Sequence, residues 1–224
     1  KVLDAATGEV RSEIAPPADV AGGTFWKWMA LQDGVLYALI GDQESRDPVI
    51  RTRSQNHGWP WAPLSPGFNQ KEQPWGFGRT LLAIDVNSKK VLWQHREERD
   101  IDSRALCMQK GRIYAFRSED YLTCIDAKTG QDVWRKTRTT APELFSELGE
   151  SLPRQDWRTN WRTTTYLKAT EKALYFAGPT MSKLLAVSAE DGRVLWQHPY
   201  SNYQIVVTED ALYVEVQYGT FHGR

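Results

Sequence analysis

The stretch "QDWRTNWRTT", residues 155–164, sets Arg158 and Arg162 four apart and interleaves them with Trp157 and Trp161. Guanidinium groups pair with anions and stack on indoles, so the pattern can hold an anionic or planar ligand, or equally build an Arg–Trp ladder within the protein. A second aromatic concentration, "QNHGWPWAPLSPGFNQKEQPWGFG" at 55–78, carries His57, Trp59, Trp61 and Trp75. Pro and Gly throughout oppose regular structure there. So many aromatics exceed what a merely solvated segment needs, which leaves a binding loop or a lid packed over the fold. "GFGRTL" at 76–81 is a fragment of a phosphate-binding glycine loop, but it leads into a strand, and a dinucleotide site is excluded.

Other chemistries lack their residues. The four His and two Cys are scattered and give no short zinc-ligand pair. No run of alternating oxygen ligands suits Ca²⁺, and no Gly-x-Ser-x-Gly elbow occurs. No metal site is expected. Lys plus Arg number 28, as do Asp plus Glu, so no global field favours nucleic acid or an anionic membrane. No apolar run approaches the roughly 18 residues of a membrane span.

The elements that position these residues repeat. "LLAIDVNSKKVLWQH" (81–95), "TCIDAKTGQDVWRK" (123–136) and "LLAVSAEDGRVLWQH" (184–198) align on Trp93, Trp134 and Trp196, and "VLDAATGEVRS" (2–12) aligns with Ser12 in place of Trp. The turn residues Asp85, Asp126 and Ser188 match, with Asp4 in the first copy. Upstream, "DGVLYAL", "KGRIYAF", "EKALYFA" and "EDALYVE" carry Tyr37, Tyr114, Tyr175 and Tyr213. Each couples a polar two-residue turn to an alternating apolar run, the mark of a hairpin. The Asp-x-x-Thr-Gly segment is a second turn, with Asp accepting backbone amide hydrogen bonds. Four antiparallel strands in about 40 residues make a β-propeller blade. The fold class is therefore all-β, a propeller of four-stranded blades over residues 1–224, with each final-strand Trp packed between neighbouring blades.

Two insertions interrupt the repeat, at about 42–78 inside one blade and about 138–158 between blades. "TAPELFSELGES" predicts a short helix ending near Gly149, with Thr140 and Glu143 as a capping box. Cys107 and Cys124 fall on the first and third strands of one copy. One strand between them implies about 9–10 Å, too far for a disulfide, so both are expected as free thiols.

Cys124-Ile-Asp126-Ala-Lys-Thr129-Gly130-Gln-Asp-Val-Trp134 resembles the tryptophan-docking motif of pyrroloquinoline-quinone (PQQ)-type propeller repeats, usually Ala-x-Asp-x-x-Thr-Gly-x-x-x-Trp. Ala83 and Ala186 restore the Ala; Ser188, Lys89 and Ser12 depart from the pattern. The resemblance covers nearly the whole chain outside the insertions. It implies a location in the periplasm or at the cell surface, and either of two roles. One is a binding or scaffold module with a protein partner or a small anionic or sugar-like ligand. The other is a PQQ-dependent alcohol or sugar dehydrogenase, or the propeller part of a larger enzyme. PQQ with Ca²⁺ enters only under the second, and the adjacent Cys pair common in quinone-using members is absent.

About four blades are expected: either a small closed ring or, favoured, an arc whose remaining blades belong to a longer chain. Counting ten residues back from each repeat Tyr, towards the innermost strand, selects Lys27, Arg104, Thr165 and Tyr203. One earlier stand Trp26, Ser103, Thr164 and Asn202, with Asp102 beside them. Ligand contacts are expected from Lys27, Arg104, His57, Trp59, Trp61, Arg158, Trp161 and Arg162. No catalytic residue is assigned; under the enzyme reading Lys27 or Arg104 would polarise a quinone carbonyl and Asp102 would be the base.

Overall fold

The structure is a computed structural model and describes residues 1–20, 23–42, 76–117, 120–148, 165–178, 181, 183–199, 205–208 and 210–214. The first complete blade runs β3 (Phe25–Gln32), β4 (Val35–Gly41), β5 (Phe77–Asp85) and β6 (Val91–Asp102). The second comprises β7 (Leu106–Gln109), β8 (Arg112–Arg117), β9 (Tyr121–Asp126) and β10 (Asp132–Thr137). The third comprises β11 (Tyr166–Ala169), β12 (Ala173–Ala177), β13 (Leu184–Ser188) and β14 (Val194–His198). Each is an antiparallel sheet with its strands in chain order. Before them stands the pair β1 (Val2–Leu3) and β2 (Val10–Ser12), and after them β15 (Ile205–Val207) and β16 (Leu212–Val214). These pairs form separate two-stranded sheets, so three whole blades lie between two half-blades.

The middle strands of each blade are buried on both faces. In β8 Ile113 and Ala115 join the core shared with the first blade, which holds Leu39, Leu81 and Ile101. The alternate residues Tyr114 and Phe116 join the core shared with the third, which holds Leu174, Phe176 and Val187. Strand alternation thus gives a continuous apolar run, because each side meets another sheet.

The Asp turns close as expected. Asp126 Oδ1 accepts from Lys128 N at 2.9 Å and Thr129 N at 3.1 Å, and Gly130 N donates to Asp126 O. Asp4 repeats this with Ala6, Thr7 and Gly8. Ser188 Oγ accepts from Glu190 N and Asp191 N in the third blade. Asp85 Oδ1 accepts from Ser88 N, and Lys89 occupies the glycine position with φ +59°.

Two indoles lie across seams. Trp93 Nε1 donates to Ala127 O at 2.9 Å and Trp134 Nε1 to Ala189 O at 3.2 Å, each on the next blade's turn. Each indole sits against the turn glycine: a Cβ on Gly130 would lie 2.7 Å from the Trp93 ring, and one on Gly192 3.1 Å from Trp134. Trp196 departs from the expected inter-blade position. It touches Tyr175 of its own blade, ring centroids 5.9 Å apart, and is 44% exposed, because no such turn stands against it among the described residues.

The helix α1 spans Pro142–Leu148 and inserts Leu144, Phe145 and Leu148 beside Phe116 in the second seam. Pro142 opens it, as suits a first helical residue without an amide hydrogen. Thr140 differs from the expected cap: its Oγ1 accepts from Thr137 N instead, within the preceding turn. Cys107 and Cys124 are free, and both pair laterally with Tyr114 on the strand between them.

Candidate functional site

The innermost strands β3, β7 and β11 converge on a cleft of about 510 Å³. Its wall includes Trp28, Ser103, Arg104, Cys107, Tyr166 and Lys168. Among the ten-back positions and their neighbours, Ser103 and Arg104 line the cleft. Lys27 lies on β3 with its chain over Gly41, and it is absent from the lining, as are Trp26 and the buried Thr165. His57, Trp59, Trp61, Arg158, Trp161, Arg162, Thr164, Asn202 and Tyr203 lie outside the described residues.

Lys168 was missed by the offset of ten. It stands seven before Tyr175, as Ala30 stands before Tyr37 and Cys107 before Tyr114, and all three line the cleft. An offset of seven was the available signal. It was hidden because the approach to two of the inner strands is irregular: β3 has a bulge between Trp26 and Trp28, and a 3-10 turn, Ser103–Ala105, precedes β7.

Arg104 is held by Asp102, which is 4% exposed. Asp102 Oδ1 accepts from Arg104 N and Nε, both at 2.9 Å, and Oδ2 accepts from Nη2 at 2.7 Å. The guanidinium also lies 5.6 Å from the Phe77 ring centroid. A carboxylate bound on both oxygens is fixed as an ion-pair partner and is poorly placed to take a substrate proton. With Arg104 so neutralised, the exposed Lys168 gives the described wall its positive charge. Burial pushes the Cys107 thiol up to about 12, so at neutral pH it is a thiol and a weak nucleophile.

A second polar concentration crosses the first seam on the outer strands. His95 Nδ1 meets Gly130 O at 2.9 Å, and Nε2 meets Glu97 Oε1 at 2.8 Å. Arg135 bonds Glu97 and also Asp132, and stacks 4.4 Å over the Tyr121 ring, whose hydroxyl is buried without a partner. A carbonyl and an ionised carboxylate only accept, so both His95 bonds are made together only by the imidazolium. Burial opposes that charge, but the Glu97 and Gly130 bonds outweigh it and hold the His95 pKa above its ordinary 6.5. Burial likewise opposes the Glu97 charge and is outweighed by His95 and Arg135, which keep its carboxyl below 4.5. Among the described residues no group of three His, Cys, Asp or Glu could hold a metal ion.

Known proteins share this pattern. The family model PQQ_2, described as outer membrane protein assembly factor BamB, matches residues 76–210. Quinoprotein alcohol dehydrogenase PedE of Pseudomonas putida is 28% identical over 124 residues, covering 55% of this chain and 19% of that protein. Quinoprotein ethanol dehydrogenase of Pseudomonas aeruginosa is 27% identical over the same coverage. The match thus spans about a fifth of these curated relatives. The computationally designed Ika4 protein superposes with a TM-score of 0.50 at 9% identity, covering 94% of this chain and 96% of that one. The model matches well over half of the sequence, three four-stranded blades accompany it, and the chain belongs to the PQQ_2 family of β-propeller repeat proteins.

Proposed function

We propose that this propeller region is a non-catalytic binding or scaffold module, placed in the periplasm or at the cell surface, whose axial cleft takes a small anionic or sugar-like ligand. The 42–78 insertion and the Arg/Trp segment at 156–162 contact a ligand or protein partner through His57, Trp59, Trp61, Arg158, Trp161 and Arg162. The contacts of Trp93 and Trp134 with the next turn act as the docking device of such repeats. The observation carrying the reading is the cleft wall: Lys168, Tyr166, Ser103 and Trp28 offer a cation, hydroxyls and a ring, with no Asp or Glu among them. Calorimetric titration with a sugar phosphate tests it. Saturable binding lost in Lys168→Ala supports the cleft; binding equal in that variant contradicts it.

A second reading rests on the match to quinoprotein dehydrogenases. PQQ would supply two-electron oxidation of an alcohol, with Ca²⁺ polarising it. The described cleft residues do not fit that group: no carboxylate lines the wall, and Asp102 has both oxygens on Arg104. Adding the quinone and Ca²⁺ while following visible absorbance separates the two. The scaffold reading expects no saturable change.

A further inference from the structure

The residue two places after each repeat Trp is basic: His95, Lys136 and His198. In both seams closed by a seated indole, that residue lies on the turn glycine of the next blade. His95 Nδ1 meets Gly130 O at 2.9 Å, and a Cβ on Gly192 would lie 3.1 Å from Lys136 Cγ. The same two turns carry Trp93 and Trp134. The seams differ in one respect. Histidine is the side chain that changes charge between about pH 5 and 8, whereas lysine stays charged across that range.

The groups around His95 make its proton part of the seam. Glu97, on the same strand, presents Oε1 to Nε2 at 2.8 Å. Strand β10 brings Asp132 and Arg135, and Arg135 bonds both Asp132 and Glu97 while lying over Tyr121 of β9. The Gly130 turn adds Asp126, whose oxygens are taken by its own turn amides and by Arg112. Strand β5 sets the apolar Leu81 opposite. His95 and Glu97 are both shielded from water, their side chains 15% and 9% exposed.

A neutral imidazole has one N–H and one lone pair. With the hydrogen on Nε2, the Nδ1 lone pair faces Gly130 O at 2.9 Å; with it on Nδ1, the Nε2 lone pair faces the Glu97 carboxylate. Either tautomer turns one of the two bonds into a repulsion between acceptors, in surroundings largely closed to water. A bond to a carboxylate is the stronger, so the Gly130 contact is the one released. Gly130 lies directly under the indole, where an added Cβ would come within 2.7 Å of the Trp93 ring. A shift of that carbonyl is therefore a shift of the Trp93 seat. We infer that His95 is a proton-operated latch on the first seam: its imidazolium ties the Gly130 turn beneath Trp93, and proton loss releases that turn while Lys136 keeps the second seam shut. Burial opposes the imidazolium, and the bonds to Glu97 and Gly130 outweigh it. The latch is thus closed below about 6.5 and opens as pH rises through the higher folded value.

Hydrogen exchange in the full chain tests it, read by mass spectrometry on the 126–131 and 188–193 turns and corrected for the intrinsic pH dependence of amide exchange. Between about pH 5 and about pH 9, protection of the first turn should fall about tenfold, and that of the second should hold within about twofold. His95→Lys keeps a cation over Gly130 and should make the first turn as indifferent to pH as the second. An equal fall in both turns, or no fall in the first, overturns the latch. So does a fall that persists in His95→Lys, which would place the titrating group elsewhere. The comparison of the two wild-type turns needs no variant, so it decides the matter even if His95→Lys does not fold.

Discussion

Trp134 and Trp196 occupy the same point of consecutive blades, each eight residues after a turn head, yet only Trp134 of the two has a seat. Trp134 rests on the Ser188–Gly192 turn and bonds Ala189; Trp196 has Tyr175 behind it and water in front. The difference is not in the indole or its strand but in what the following sheet presents. A repeat residue is structural only when the neighbouring repeat supplies the complementary turn, and every seam here depends on both partners.

Truncating the two indoles should separate them most. Complete loss of a core aromatic costs about 3–5 kcal/mol, and Trp134 is half-buried, so Trp134→Ala should lower unfolding stability by roughly 2–3 kcal/mol. Trp196→Ala should change it by less than about 0.5 kcal/mol, as for surface sites. Equal losses in chemical denaturation would erase the contrast.

The seam also has a pH signature that the open edge lacks. His95 has its folded pKa raised, so its contribution is complete below about 6.5 and is lost as pH rises through the higher folded value. Glu97 has its folded pKa lowered, so its contribution is present above about 4.5 and lost as pH falls through the lower folded value. Stability should therefore be highest between these limits. His95→Gln should flatten the decline on the alkaline side; an unchanged slope would deny the imidazolium its place between Gly130 and Glu97.

Asp126→Ala and Asp4→Ala make a finer comparison. Both remove two amide hydrogen bonds and an arginine partner, Arg112 for Asp126 and Arg11 for Asp4, but only the Asp126 turn lies under a seated indole. The polar losses match, so an excess cost of about 1 kcal/mol for the Asp126 change in thermal melts reports the seated indole. The smallest effect concerns the thiols. Burial pushes Cys107 up to about 12 and Cys124 to about 11. At pH 8 the folded chain should react with iodoacetamide at well under a tenth of the rate of the unfolded chain.

Blades were legible in the sequence because Tyr37, Tyr114 and Tyr175 and the Asp-headed turns recur at fixed distances, and each marks a point where the backbone must turn or a face must be buried. Belonging to a PQQ-type family followed from the same residues. Cleft positions were less legible. Arg104 and Ser103 were found, but Lys168 was not, since an offset of ten falls in the bulge at Trp26–Trp28 and the turn at Ser103–Ala105, ahead of the regular strand residues. Trp196 looked equivalent to Trp134 for a deeper reason: a docking residue's own repeat does not contain the surface it docks on. The helix Pro142–Leu148 was expected from a capping box of Thr140 with Glu143 and an end near Gly149, whereas the hydroxyl of Thr140 bonds Thr137 in the preceding turn.

Indoles across the turn glycines hold these blades together, and Gly130→Ala measured beside Gly8→Ala tests that role. Both positions have left-handed φ, +71° and +75°, so both variants carry the same backbone penalty of about 1–2 kcal/mol. Only Gly130 would drive its new methyl into Trp93, an overpacking cost of about 1–3 kcal/mol. Urea unfolding of Gly130→Ala should show that extra loss; the same loss in both variants would mean that Trp93 does not bear on the turn.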